Sequence, residues 1–162
     1  CTENNLRHQS MLLSDILSFA STVNITQIIL SFIFFFIGGY LMYGSMFAAV
    51  GSAVDAEADS QQFILPVTIP LIISFVLIQP IMDNPDGTLA FWMSMIPLTS
   101  PIVMMVRLPF GVENWQLFLS MGILVISFII STLIAAKIYR TGILMYGKKI
   151  TYKELWKWLK YK

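Results

Sequence analysis

The sequence predicts an all-α integral membrane protein with three transmembrane helices, a re-entrant helical hairpin and a basic amphipathic C-terminal helix. Of the 162 residues, 57% are apolar and only 12% are charged, whereas soluble domains carry about 25% charged residues. The mean hydropathy is +0.76. A hydrocarbon core about 30 Å thick needs about 20 apolar residues per helical crossing, so the length accommodates roughly three or four crossings and no separate soluble domain.

Residues 1–24 mix polar and apolar side chains, and we expect them to be an extracytoplasmic lead-in to the first membrane helix. Cys1 is the single cysteine, which excludes an internal disulfide and a cysteine-rich metal site. A chain that opens with Cys is either processed, as a lipoprotein is, or cut from a longer protein. We favour truncation, because no signal segment is visible.

Residues 25–50 contain no charged side chain and predict the first transmembrane helix. As a helix they would be about 39 Å long, more than the hydrocarbon core requires. Small residues are concentrated in the second half of this segment and just beyond it, at the kind of position where helices in lipid approach closely. We expect a packing role, rather than a substrate path, for Gly38, Gly39, Gly44 and Gly51.

An acidic segment follows the first predicted helix. It contains Asp55, Glu57 and Asp59 and no basic residue. Three carboxylates are too costly to place in lipid, so we expect this segment to lie in water or against a protein partner.

Two further apolar segments have different predicted structures. Residues 63–82 are uncharged and predict the second transmembrane helix. Residues 88–110 are interrupted by prolines, among them Pro97 and Pro101, and the arms of roughly 10 to 13 Å that result are each too short to span. Arg107 would cost about 2.5 to 3.5 kcal/mol at the bilayer centre, so we expect it at an interface or in a wet cavity. Residues 88–110 are therefore predicted to form the re-entrant hairpin.

Residues 115–138 predict the third transmembrane helix, with a tryptophan at its start and basic residues at its end, as in an exit into the cytoplasm. Residues 139–162 are a basic tail, because eight of the ten Lys and Arg residues lie from Lys137 onward and Glu154 is the only acid there. We expect an amphipathic helix on an anionic inner leaflet, the alternative being a solvated charged tail. Its predicted membrane contacts are Lys153, Trp156, Lys157 and Lys160.

The positive-inside rule places the tail in the cytoplasm. With three crossings and a re-entrant hairpin, the acidic segment is also cytoplasmic, while the N-terminus and residues 83–114 face outside. If residues 88–108 crossed fully, the acidic segment would lie outside instead. Acidic residues count little in this rule, so charge alone leaves both arrangements open.

The sequence offers no residue set for catalysis. It has no Gly-x-x-x-x-Gly-Lys-Ser/Thr phosphate loop, so it does not bind ATP by that route. His8 is the single histidine and has no second ligand at metal spacing, so we assign no catalytic residue and no metal site. In the basic tail, Trp and Tyr residues beside a membrane span favour lipid over nucleic acid.

A series of short motifs runs along most of the chain. The motifs are Gly38–Tyr43 (GGYLMY), Phe47–Ser52 (FAAVGS), Glu57, Gln61, Gln62, Pro97–Pro101 (PLTSP), Arg107, Ile138–Arg140 (IYR) and Leu144–Lys148 (LMYGK). In this order and spacing they resemble the permeases of type-2 ATP-binding cassette exporters of the sodium-extruding kind. The similarity covers nearly the whole chain from Phe32, although Ser60 stands where alanine is more usual.

The resemblance implies a six-helix permease, multi-pass in a bacterial cytoplasmic membrane, of which this chain holds the last three helices and the hairpin before the sixth. It implies two permease chains paired with two ATPase subunits that bind ATP and Mg, so this chain would bind no cofactor and would not be an enzyme. An ion or small molecule would be exported. On this reading Asp55, Glu57 and Asp59 lie near the ATPase, while Pro97, Pro101 and Arg107 help to close the outer side.

Two other classes of membrane protein are alternatives to an exporter permease. A structural or assembly subunit without transport would show the same helices but would need no ATPase partner. A channel or ion carrier usually places charged residues inside its spans, whereas the three predicted spans are uncharged between their ends. This absence favours a permease that works by rigid-body helix motion over an ion relay.

Overall fold

The computed structural model describes Met11 and residues 24–53 and 57–144, with the backbone alone for residues 57–60 and 141–144. The regular elements in these ranges are helical. They are α1 (Ile25–Ala53), α2 (Glu57–Val76), α3 (Ile78–Asp83), α4 (Thr88–Met95), α5 (Ser100–Arg107), a 3₁₀ turn (Leu108–Phe110) and α6 (Asn114–Leu144).

Several predictions fall outside what the structure describes. These are most of the lead-in 1–24, Asp55, the side chains of Glu57 and Asp59, and the tail residues Lys153, Trp156, Lys157 and Lys160.

The two long helices α1 and α6 pack side by side and run parallel. Near their starts, Gln27 Nε2 donates to Asn114 Oδ1 at 3.0 Å, an offset of 87 residues along the chain. Further along, the Ser45 and Ser131 hydroxyls lie 2.8 Å apart at an offset of 86 residues. A nearly constant offset between facing residues means that both helices begin at the same end of the bundle, which we call the mouth.

Because α1 and α6 are parallel, the chain between them must return to the mouth. Helices α2 and α3 make this return, which the sequence analysis had predicted as one helix over 63–82. The structure divides that segment at Leu77. Pro80 has no N–H to donate to the Val76 carbonyl four residues earlier, which explains the position of the break. Around it, the Leu77 N–H donates to Ile73 O at 2.9 Å and the Ile81 N–H to Leu77 O at 3.0 Å, so the two helices remain connected.

Helices α4 and α5 form a helical hairpin between α1 and the mouth-end half of α6, within the predicted limits 88–110. At the tip of the hairpin, the Tyr43 hydroxyl donates to the Leu98 carbonyl. Tyr43 lies about four and a half turns beyond Gln27, a rise of roughly 24 Å along α1. The hairpin therefore starts and ends at the mouth, and its tip lies deep in the bundle.

One apolar cluster joins the helices. Its buried members come from five helices, among them Phe35 of α1, Val67 of α2, Met104 of α5 and Leu124 of α6. Outside this cluster, α1 and α6 present large apolar side chains to the surroundings, and only 22% and 17% of their most apolar segments are buried. The core helix of a soluble protein buries most of such a segment. These two helices are long and apolar enough to cross a membrane, and their exposed faces suit lipid.

The four glycines singled out in the sequence have different surroundings. A Cβ on Gly38 would lie 2.9 Å from Leu124 Cδ2, and one on Gly39 would lie 2.9 Å from Pro101 Cβ. Among the described residues, no atom lies within 4 Å of that position at Gly44 or Gly51. Close packing within this chain therefore involves Gly38 and Gly39 alone of the four, because only these two face α6 and the hairpin.

We predict that Gly39→Ala destabilises the protein by about 1 to 3 kcal/mol, because the new methyl group would overlap the rigid Pro101 ring. The measurement is the thermal unfolding midpoint of the full-length protein in detergent. Gly44→Ala is the matched control, and the gain in helix propensity should leave its midpoint unchanged or raise it. Equal midpoints for the two variants would contradict the close contact between α1 and the hairpin tip.

Candidate functional site

Arg107 closes the hairpin at the mouth. It is the last residue of α5, and its side chain is only 2% exposed. The chain then turns through Leu108–Phe110 to Gly111, whose φ of 92° is in the left-handed region that glycine adopts without strain. This turn directs the backbone into α6, so that the N-terminal residues of α6 lie against the guanidinium.

The Arg107 guanidinium joins three separate segments by hydrogen bonds. Its Nε donates to the Pro85 carbonyl at 2.7 Å in the α3–α4 loop. Its Nη1 donates to Ser94 Oγ at 2.7 Å on α4, and its Nη2 donates to Gln116 Oε1 at 3.0 Å on α6. All three acceptors are neutral. A hydrogen bond to a charged group contributes about 1.5 to 3 kcal/mol, so this side chain fixes the geometry of the mouth.

A second polar contact lies deeper in the hairpin. The Ser120 hydroxyl of α6 donates to the Ser94 carbonyl at 2.7 Å, and the Ser94 hydroxyl donates to the Phe91 carbonyl at 2.7 Å. Both serines are buried. Helix α4 is therefore held to α6 through Ser120 and, by way of Ser94 and Arg107, through Gln116.

The tip is fixed by a different set of contacts. Besides the Tyr43 hydrogen bond to Leu98, Thr99 Oγ1 donates to the Met93 carbonyl at 2.5 Å and closes the turn on itself. Pro101 occupies the first turn of α5, where the missing N–H removes no helical hydrogen bond, and it packs on Gly39. The structure thus separates the three predicted gate residues, with Arg107 at the mouth and Pro97 and Pro101 at the tip, at the other end of the eight-residue helix α5, which is about 12 Å long.

An open cleft of about 520 Å³ lies at the mouth beside Arg107. Its lining residues are Asp86, Thr88, Phe91, Arg107, Gly111, Glu113 and Gln116. Burial lowers the pKa of Arg107, and the negative charge of Asp86 opposes that shift. Arginine nevertheless stays protonated in proteins. The cleft therefore combines one fixed cation with two carboxylates.

Glu113 and the neighbouring aromatic rings form one rim of this cleft. The Glu113 carboxylate accepts hydrogen bonds from the Trp115 indole N–H and, at 3.5 Å, from Gln116 Nε2. The Phe91 and Trp115 rings lie 6.1 Å apart between centroids. These contacts hold the carboxylate beside an aromatic surface.

A larger and mainly apolar groove of about 610 Å³ lies between α1, α2 and α5, deeper than the mouth. Most of its lining comes from one face of α1, where aromatic residues recur at helical spacing. They are Phe32, Phe35, Phe36, Tyr40, Tyr43 and Phe47. Gly39 and Gly44 also line it.

Sequence reasoning identified Arg107 but not its partners. The Ser94 hydroxyl accepts a hydrogen bond from Arg107 Nη1, and the Ser94 carbonyl accepts one from Ser120 of α6. Gln116 was not singled out, and Tyr43 was named only as the last residue of the motif Gly38–Tyr43. These partners could have been suspected because they are polar side chains inside apolar segments, and a buried polar group needs a hydrogen-bonding partner.

Comparison with known proteins gives one family and two relatives. A model of the family described as ABC-2 family transporter protein matches residues 10–137. The uncharacterized protein YhaP of Bacillus subtilis is 31% identical over 134 residues, which is 82% of this chain and 32% of that protein. The uncharacterized protein MJ1024 of Methanocaldococcus jannaschii is 30% identical over 141 residues, 86% of this chain and 35% of that protein. The chain thus spans about a third of these relatives, and no solved structure matches it.

We predict that Arg107→Gln destabilises the protein by about 2 to 4 kcal/mol, because Pro85, Ser94 and Gln116 lose a shared charged donor. Arg140→Gln removes the same charge from an exposed position on α6 and should change stability by less than about 0.5 kcal/mol. Denaturation of the detergent-solubilised protein measures both. A loss at Arg107 no larger than at Arg140 would contradict the structural role of the guanidinium.

Proposed function

Because the chain belongs to the ABC-2 family of transporter proteins, we propose that it is the C-terminal part of a permease subunit that exports an ion or small molecule from the cell. The membership makes it part of a transporter membrane subunit. The export direction, the coupling to ATP and the sodium-extruding subfamily are the proposal. Its main structural support is the hairpin, which is hydrogen-bonded to α1 at the tip and to α6 at the mouth, so that a rigid-body movement of these helices would carry the hairpin with them.

In the proposed topology, α1, the α2–α3 pair and α6 cross a bacterial cytoplasmic membrane, and the hairpin enters from the outer side and returns to it. The parallel course of α1 and α6 supports this arrangement, because it requires an odd number of crossings between Ala53 and Asn114. The depth of the tip along α1, roughly 24 Å, is most of a hydrocarbon core of about 30 Å.

The proposed mechanism is a rigid-body movement driven from the cytoplasm. Two permease chains would pair with two ATPase subunits, which bind ATP and Mg, and this chain would perform no catalysis. Asp55, Glu57 and Asp59 would face the ATPase, and the basic tail, with Lys153, Trp156, Lys157 and Lys160, would lie on the inner leaflet. The proposed crossings carry no charge between their ends, which favours helix movement over an ion relay.

The topology predicts which positions a membrane-impermeant maleimide reaches in intact cells, in a cysteine-free version of the full-length protein. Asp83→Cys and Glu113→Cys should both be labelled from outside, because the hairpin returns to the side from which it enters. Gly51→Cys should be labelled only after permeabilisation. Labelling of Asp83→Cys and Glu113→Cys from opposite sides would mean that the hairpin crosses the membrane fully.

The transporter assignment predicts that an ATP-binding cassette ATPase co-purifies with the full-length protein in mild detergent, detected by mass spectrometry. Glu57→Lys should lower the transport-coupled ATPase activity several-fold, because charge reversal at the interface makes a repulsive contact. Asp83→Lys, the same reversal at the mouth, is the control and should leave that activity unchanged.

The absence of any ATPase would favour the alternative, a membrane structural or assembly subunit without transport. Unchanged coupled activity in Glu57→Lys would move the coupling surface away from the acidic segment.

A further inference from the structure

We propose that the cleft at the mouth binds a zwitterion that carries a phosphate and an ammonium group, as the headgroup of phosphatidylethanolamine does. The inference rests on the proposed membrane position of the mouth but not on transport. It follows from the charges that line the cleft, from the unused donors of Arg107 and from the aromatic residues around it.

The guanidinium supplies the anion-binding half. Arginine has five N–H donors, and Arg107 uses three of them, one on each nitrogen, for Pro85, Ser94 and Gln116. One donor on Nη1 and one on Nη2 therefore remain. A buried cation whose hydrogen-bonded acceptors are all neutral is stabilised by an anionic oxygen, and a phosphate accepts two donors of a guanidinium in the fork geometry.

The carboxylates supply the cation-binding half. Asp86 and Glu113 both line the cleft and are both exposed. Glu113 is oriented by Trp115 and Gln116, and the Phe91 ring forms part of the same wall. A carboxylate beside an aromatic face is a favourable environment for an ammonium group, because the ring attracts cations as well.

A ligand of a single sign suits this cleft less well. A simple anion that reaches Arg107 meets two carboxylates, and a simple cation that reaches the carboxylates meets the guanidinium. Within the described part of the chain, no group of three His, Cys, Asp or Glu residues is placed to hold a metal ion. A zwitterion places an opposite charge against the guanidinium and against the carboxylates. The cleft of about 520 Å³ is within the range of about 300 to 1,000 Å³ that small-molecule sites have.

The position of the cleft favours a lipid source for the zwitterion. Trp92 and Trp115 flank the mouth and are 60% and 54% exposed. Exposed tryptophans are enriched at the level of lipid headgroups, where the indole ring has both apolar and polar surroundings. The cleft then opens at the depth where phosphate and ammonium groups of the outer leaflet lie.

The test is native mass spectrometry of the full-length protein in detergent with three lipids added at equal concentration. These are phosphatidylethanolamine, phosphatidylglycerol, which has no ammonium, and a cationic lipid with a trimethylammonium group and no phosphate. We expect phosphatidylethanolamine adducts to exceed the other two. Equal binding of either competitor would overturn the proposal, because one half of the site would then be dispensable.

The carboxylate variants locate the binding. In Asp86→Asn with Glu113→Gln, the preference for phosphatidylethanolamine over phosphatidylglycerol should fall by about fivefold, because two charge contacts are lost. Asp83→Asn removes an acid at the same end of the molecule but outside the cleft and should keep the preference. An equal preference in the double variant and in Asp83→Asn would overturn the proposal. Asp86→Asn alone, in an exposed loop, serves if the double variant unfolds.

Soluble phosphoethanolamine distinguishes the two sources of the same chemistry. If it displaces the lipid at comparable concentration, the cleft recognises the free zwitterion. If the lipid adducts persist in a large excess, the headgroup is held together with its acyl chains. In either case the binding should require Asp86 and Glu113. The lipid experiments do not involve the ATPase, so their failure would leave the transporter assignment, which co-purification tests, intact.

Discussion

The parallel packing of α1 and α6 is the constraint on which the rest of the structure depends. Two parallel helices cannot be joined by a short loop, because the first ends at one end of the bundle and the second begins at the other. Here the hydrogen bonds between Gln27 and Asn114 and between Ser45 and Ser131 align their starts at one end. The intervening chain must then return to the mouth, and α2 and α3 make this return before the hairpin begins. The hairpin then packs between the two long helices, held to α1 by Tyr43 and to α6 by Gln116 and Ser120.

Arg107 stabilises the mouth, where the α3–α4 loop, α4 and the start of α6 meet. The ends of helices leave backbone groups without helical partners, and those groups must be satisfied by other means when water is scarce. The guanidinium reaches one such region at the Pro85 carbonyl and also reaches side chains of α4 and α6. Lysine has the same charge but presents its donors from a single nitrogen, so it could not span the three acceptors in this fork geometry.

Individual glycines and prolines determine how the helices pack against one another. Gly39 admits the Pro101 ring, and Pro101 in turn begins α5 without loss of a helical hydrogen bond. Pro80 breaks the return segment next to Leu77, which lets α3 pack on the hairpin through Ile81, Ala90 and Val103. Gly44 has open space around it and lines the apolar groove. Glycine therefore allows a close helix contact at Gly39, whereas at Gly44, just over one turn later, it borders open space in the groove.

The sequence by itself determined the two long helices and the hairpin, because apolar runs and proline breaks are local signals. The predicted 25–50, 115–138 and 88–110 correspond to α1, α6 and the α4–α5 segment with its 3₁₀ turn, whereas the predicted helix 63–82 is divided at Leu77. The tertiary structure alone decided that α1 and α6 are parallel, that Tyr43 holds the tip, and that Arg107 meets Ser94 and Gln116 beside two carboxylates. Hydropathy and helical period describe neighbours along the chain, and contacts between residues far apart along it depend on how the faces of the helices fit together.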